Sequence, residues 1–123
     1  MSTAARCLHV LIVDDEPLIR WSISETLGAA GHQVTEAADA ASALKALAGA
    51  REPDLVLLDF RLPDSNDLGL LATIRQIAPA VTVIMMTAFG TPDVTAGALK
   101  LGAARVLNKP FNMHDLEDIV RSL

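Results

Sequence analysis

Apolar residues follow two rhythms along this chain. Short continuous runs alternate with longer stretches in which apolar positions return every three or four residues. The first rhythm marks strands buried on both faces, the second amphipathic helices. Leu8–Val13 is the first run, and it ends in Asp14-Asp15-Glu16. Pro17 suits the first turn of a helix, where its missing N–H costs nothing. Leu18, Ile19, Ile23 and Leu27 continue that helix, and Gly28 or Gly31 closes it. Gln33–Ala37 predicts a second strand. Ala40–Ala50 predicts a second helix, packed through Ala43, Leu44 and Leu47. Asp54–Phe60 is the third strand, with four apolar residues between Asp54 and Asp59. Leu68, Leu71, Ile74 and Ile77 mark a third helix, stopped by Pro79. Val81–Thr87 is the fourth strand. Thr91 then reads as an N-cap with Pro92 at the first helical position, and Gly102 closes this fourth helix. Ala104–Asn108 is the fifth strand, cut off by Pro110. Asn112 or Asp115 opens a last helix that turns Leu116, Ile119, Val120 and Leu123 inward.

Five strands alternating with five helices over short links predict an α/β fold. The strands form a doubly wound, five-stranded parallel sheet with helices on both faces and right-handed crossovers. The 123 residues fit a single domain, 1–123, and a chain of this length buries roughly two-thirds of its unfolded surface without help from metal or disulfide. No run approaches the ~18 apolar residues of a membrane span. Met1–Arg6 is too short and polar for a signal peptide and reads as a tail. Cys7, the only cysteine, excludes an internal disulfide. It is expected to be a small buried residue at the start of the first strand, in a protein of the reducing cytoplasm. Ten basic residues against fifteen acidic ones give a net charge of −5. With no basic cluster and few aromatics, direct binding of nucleic acid by this domain is not expected.

In an open α/β sheet, ligands bind beyond the carboxyl ends of the strands. The first strand ends in Asp14 and Asp15, the third in Asp59 and the fourth in Thr87, and Lys109 follows the fifth. In a sheet of order 2-1-3-4-5, strands one, three, four and five are neighbours, and these residues share one pocket. Three close carboxylates do not all stay ionised cheaply unless a cation joins them. Mg²⁺ suits such a site, being hard and bound by few carboxylates with water and phosphate oxygens. A metal with Lys109 would neutralise a transferred phosphoryl group. Asp59 is then a reasonable nucleophile, because carboxylates form acyl-phosphates. Taken singly, an Asp-Asp pair, a Lys-Pro or a Thr-Ala is ordinary turn chemistry. The ordered set at four strand ends points to a site.

At these residues the chain resembles the receiver domains of two-component response regulators. The likeness runs from Val10 to Leu123. It rests on Leu11-Ile-Val-Asp-Asp-Glu16, Leu57-Leu-Asp-Phe-Arg-Leu-Pro63, Met86-Thr-Ala88 and Lys109-Pro-Phe111. Ile19-Arg-Trp21 and Met86-Thr-Ala-Phe-Gly90 look most like receivers of the nitrogen-regulation, sigma-54-activator type. The resemblance implies a flavodoxin-like fold of order 2-1-3-4-5, an order for which receivers are themselves known examples. It implies that Asp59 accepts a phosphoryl group from a histidine kinase. Asp15 would bind Mg²⁺ directly, Asp14 mainly through water, and Asp59 with the backbone carbonyl of Arg61 would complete the protein ligands. Lys109 would pair with the carboxylate and then with phosphoryl oxygens, and Thr87 would turn its hydroxyl toward them. The Lys109–Pro110 bond would be cis. The fourth helix, fifth strand and fifth helix would form the switched face and pair with a second copy. An output domain, absent from this chain, would carry the signal to transcription. Such a protein is a switch that assists its own phosphoryl transfer and hydrolysis, not an enzyme acting on a separate substrate.

The sequence departs from the family pattern in places. Val106 stands where receivers usually carry Tyr or Phe, so the usual threonine–aromatic coupling is absent or altered. Asp67 replaces a common glycine and is expected to cap the third helix. Phe89, like Arg61, lies two residues past a site residue, and its bulk is expected to screen attacking water and slow hydrolysis. His9, His32 and His114 lack metal spacing. Trp21 reads as helix packing or a partly exposed face, and Met85 and Met86 as strand core and its neighbour. Two rivals remain. One is a receiver-fold interaction module that acts without phosphorylation. The other is a hydrolase with an aspartyl-phosphate intermediate, disfavoured because Arg61 stands where such enzymes carry a second acid. Neither the Rossmann nor the P-loop glycine pattern occurs.

Overall fold

The structure, a computed structural model, describes residues 7–49, 51–65, 67–88 and 90–123. The elements alternate as expected: β1 (His9–Val13), α1 (Pro17–Ala29), β2 (Gln33–Ala37), α2 (Ala40–Leu47), β3 (Leu55–Asp59), α3 (Gly69–Ile77), β4 (Thr82–Thr87), α4 (Pro92–Lys100), β5 (Arg105–Asn108) and α5 (Met113–Arg121). The five strands form one parallel sheet of order β2-β1-β3-β4-β5.

The central strands are apolar throughout because helices cover both faces of the sheet. Successive side chains point to opposite sides, so position in the strand decides the partner. Leu11, Val13, Val56, Leu58, Val83 and Met85 pack with Ala43 and Leu47 of α2, Leu71 and Ile74 of α3 and Ala98 of α4. Val10, Ile12, Leu55, Leu57, Ile84 and Met86 join Ile23 and Leu27 of α1 with Leu116 and Val120 of α5. Burying each large aliphatic side chain contributes about 1.5–3 kcal/mol. The edge strands β2 and β5 are more exposed and carry Gln33, Glu36 and Arg105, which discourages pairing with another sheet.

The helix boundaries follow local chemistry. Pro17 begins α1, and Gly31, at φ +96°, ends its last turn in a left-handed conformation that favours glycine. Asp39, Thr91 and Asn112 accept N–H groups of Ser42, Val94 and Asp115 at the starts of α2, α4 and α5. Asn112, and not Asp115, is therefore the cap of α5. Gly102, at φ +104°, follows α4.

Several expectations need correction. Cys7 is exposed, because sheet pairing begins only at His9↔Gln33; its thiol donates to the Gly31 carbonyl at 2.9 Å. Leu18, Ile77 and Leu123 do not enter the core and are 74%, 54% and 44% exposed. Each sits in the first turn of a helix or at a helix end, where the apolar stripe passes the rim of the sheet. Helix α2 stops at Leu47, short of Ala50, which lies outside the described residues. Asp67 does not occupy the N-cap of α3, which is Leu68, but its Oδ1 accepts the Gly69 N–H at 2.8 Å.

Candidate functional site

Register sets the site. Val13 lies level with Leu58, Asp59 with Met86, and Thr87 with Asn108. Hydrogen bonds continue past the strand ends: Asp14 N–H to the Ala37 carbonyl at 3.0 Å, Phe60 N–H to Met86 at 2.8 Å and Lys109 N–H to Thr87 at 2.8 Å. Asp14, Asp59, Thr87 and Lys109 therefore leave the sheet at one edge, held by main chain. Asp14, Asp59 and Thr87 are buried, while Asp15 is exposed.

One carboxylate oxygen from each of Asp14, Asp15 and Asp59 lies within 4.8 Å of the other two. The Lys109 ammonium bridges Asp14 and Asp59 and also reaches Glu16. Its Nζ is 2.8 Å from Asp14 Oδ2, 3.2 Å from Glu16 Oε1 and 3.3 Å from Asp59 Oδ2. The other oxygen of Asp14 accepts the Glu16 N–H at 2.9 Å, and Arg20 donates to the Asp14 carbonyl at 2.6 Å. Both carboxylate oxygens of Asp14 are thus held by protein donors, whereas Asp15 faces the opening. A cavity of about 370 Å³ opens here, lined by Asp15, Asp59, Arg61, Ala88 and Lys109 among others.

The charge balance is uneven. Asp14, Asp15, Glu16 and Asp59 bring four carboxyl groups against the ammonium of Lys109. Burial, then the charge of Asp14, push the Asp59 carboxyl from 3.8 up to about 6. Lys109 and a backbone hydrogen bond from Arg61 oppose that rise. Burial would lower the Lys109 ammonium, but its hydrogen bond to Asp14 and the charges of Asp59 and Asp14 hold it above its ordinary value. Lys109 therefore stays charged at neutral pH, and the pocket still lacks positive charge. Three compact, hard oxygen donors with a positive deficit are what a small divalent cation fits.

The residues picked out from sequence are therefore brought together. Asp14, Asp15, Asp59 and Lys109 meet, Thr87 is buried at the same edge, and Arg61 lines the cavity. The Lys109–Pro110 bond is cis, as expected. Phe89 lies outside the described residues. Val106 is half-buried beside Met85. The histidines are used structurally: His32 Nδ1 accepts the Leu8 N–H at 3.0 Å, and His9 Nε2 pairs with Thr35 Oγ1 at 2.9 Å. His114 lies 3.6 Å from Asp118 on the exposed side of α5. Glu16 was missed as a partner of Lys109. The run of three acids from Asp14 to Glu16 was the available signal.

A family model described as the response regulator receiver domain matches residues 10–121. The chain belongs to the response regulator receiver family. Similar proteins include the response regulator protein PilR of Pseudomonas aeruginosa, 43% identical over 111 residues, with 89% of this chain and 24% of PilR covered. The DNA-binding transcriptional regulator NtrC of Escherichia coli is 38% identical over 111 residues, covering 90% of this chain and 24% of NtrC. The crystal structure of NtrX from Brucella abortus superposes with a TM-score of 0.87 at 34% identity, covering 95% of this chain and 26% of NtrX. NtrC and NtrX bear out the likeness to the nitrogen-regulation type. The receiver spans about a quarter of the length of these relatives. No helix among the described residues is long and apolar enough to cross a membrane.

Proposed function

We propose that this receiver is a phosphorylation switch in which Asp59 takes a phosphoryl group from the phosphohistidine of a histidine kinase. One observation carries the reading: the cluster of Asp14, Asp15 and Asp59, with the half-buried Lys109 ammonium paired to Asp14 and Asp59, at the mouth of a cavity. A carboxylate oxygen of Asp59 attacks phosphorus. The new O–P bond forms as the N–P bond to the kinase imidazole breaks, and the imidazole leaves and takes up a proton. Asp15, Asp59, the Arg61 carbonyl and, through water, Asp14 would hold Mg²⁺. Bound there, Mg²⁺ supplies charge for the transferred oxygens and lets the carboxylates stay ionised. Lys109 already lies within 3.3 Å of Asp59 Oδ2 and follows the phosphoryl oxygens. Thr87, buried beside it, offers its hydroxyl.

Phosphorylation adds about −1.5 to −2 charge and strong acceptor oxygens. New contacts of Thr87 and Lys109 with the phosphoryl oxygens form after transfer, and they shift the population toward a second arrangement of the α4–β5–α5 face. Leu99 and Leu101, both exposed there, suit pairing with a second copy. An output domain like those of transcriptional regulators would convert that pairing into control of transcription in the cytoplasm. The receiver assists its own transfer and hydrolysis and turns over no separate substrate. A radiolabelled, autophosphorylated histidine kinase tests the donor. Label passes to the wild-type chain and not to Asp59→Ala; equal labelling of both would overturn the assignment.

A further inference from the structure

The loop that leaves β3 is tied at two places. Leu62 and Ser65 exchange backbone hydrogen bonds, at 2.7 Å from Leu62 N–H and 3.2 Å from Ser65 N–H. Asp64, between them, reaches across to a different element. Its Oδ1 accepts the Ala40 N–H at 2.7 Å and its Oδ2 accepts the Ala41 N–H at 3.1 Å. These are the first two N–H groups of α2, and the third, of Ser42, goes to Asp39 Oδ1 at 2.7 Å. Two carboxylates therefore close the positive end of this helix. One belongs to the helix's own segment, and the other to the loop that carries Arg61.

The two contacts have different consequences. Asp39 occupies the N-cap position and serves the helix. Asp64 is held through both oxygens, and a bidentate, charge-assisted contact fixes orientation as well as position. What it orients is its own loop. Arg61 stands three residues before Asp64 and donates a backbone hydrogen bond to Asp59. We infer that Asp64 is a positioning residue for the phosphoacceptor site. Its clasp on α2 holds the Arg61 main chain in the register that Asp59 and Mg²⁺ require. The inference rests on the reading of this pocket as a Mg²⁺ site. Coupling of this kind runs both ways, so Mg²⁺ also tightens the clasp on Ala40 and Ala41.

Calorimetric titration with magnesium chloride tests it in the wild-type chain and in Asp64→Ala, Asp64→Asn and Asp39→Ala. Asp64→Ala lowers Mg²⁺ affinity about tenfold, the usual size of coupling between linked sites. Asp64→Asn, which keeps an acceptor oxygen, recovers part of it. Asp39→Ala removes a cap from the same helix yet stays within about twofold of wild type, because it lies outside the linked network. In the wild-type chain, Mg²⁺ slows amide exchange at Ala40 and Ala41 more than at Ser42. Equal weakening by Asp64→Ala and Asp39→Ala would overturn the clasp, since softening α2 would then suffice. So would unchanged affinity in Asp64→Ala. If Asp64→Ala does not fold, Asp64→Asn and the exchange measurement decide. A wild-type chain that binds no Mg²⁺ defeats the functional reading itself, and the clasp's role falls with it.

Discussion

Replacing Asp59 should stabilise the receiver in the absence of divalent metal. Asp59 is buried near Asp14, and its carboxyl is pushed from 3.8 up to about 6. A carboxyl raised on folding binds more protons in the folded state than in the unfolded chain. Its contribution is therefore fully favourable below about pH 4 and is lost as pH rises through about 6. At 1.36 kcal/mol per pH unit the full loss is about 3 kcal/mol, or about 2 kcal/mol once the water that still reaches the site is allowed for. Lys109 does not alter this slope, because it is charged in both states across this window: its ordinary value already lies far above it, and the fold raises it further. Asp59→Asn keeps the shape and removes the charge. In EDTA at pH 7.5 it should gain about 2 kcal/mol, seen as a rise in Tm of roughly 5–10 °C for a domain of this size. Urea and thermal melts at pH 4 should show the two proteins nearly equal. Mg²⁺ at a hundredfold excess over its Kd adds about 2.7 kcal/mol to the wild type and should reverse the ranking. A destabilised Asp59→Asn in EDTA at neutral pH, or a gain that does not change between pH 4 and 7.5, would refute this account of the charge balance.

Three further outcomes are expected. Lys109→Ala leaves the buried Asp14 carboxylate without its ammonium and should cost about 2–4 kcal/mol in urea unfolding without metal; an unchanged midpoint would show that the pair is idle. Val106→Ala trims a half-buried side chain with no ring to swing, so it should leave phosphorylation-driven association intact; a large loss, read by light scattering, would give Val106 a switching role. Phe89→Ala should shorten the phosphoryl lifetime, measured as loss of the labelled mass with time; an unchanged decay would remove Phe89 as a screen against water.

The site was legible in the sequence because parallel strands make it so. Each buried strand ends in or runs straight into a polar residue, and in a parallel α/β sheet every such end lies at the same edge. Asp14, Asp59, Thr87 and Lys109 could thus be gathered from their places in the chain once a strand order was assumed. That order came from resemblance, since spacing does not say which strands are neighbours. Caps were readable for the same local reason: Thr91 and Asn112 serve N–H groups three residues on. Contacts between distant segments were not readable. Asp64 caps a helix that begins 24 residues earlier, and no local pattern announces it. Cys7 and Leu18 were misplaced because apolar character does not reveal where a strand's pairing or a helix's buried stripe stops. Leu18 follows Pro17 in the helical repeat yet sits beyond the sheet's rim, and Trp21 one turn on is likewise exposed.

Intact mass reads directly whether Asp59 takes up a phosphoryl group in a Mg²⁺-dependent way. The chain is incubated with acetyl phosphate, with and without Mg²⁺, beside Asp59→Ala. The wild type with Mg²⁺ should gain one phosphoryl mass, and neither the wild type in EDTA nor the variant should. A folded, Mg²⁺-bound wild type that takes up no phosphoryl group would contradict the Asp59 assignment and leave an interaction module that works without phosphorylation.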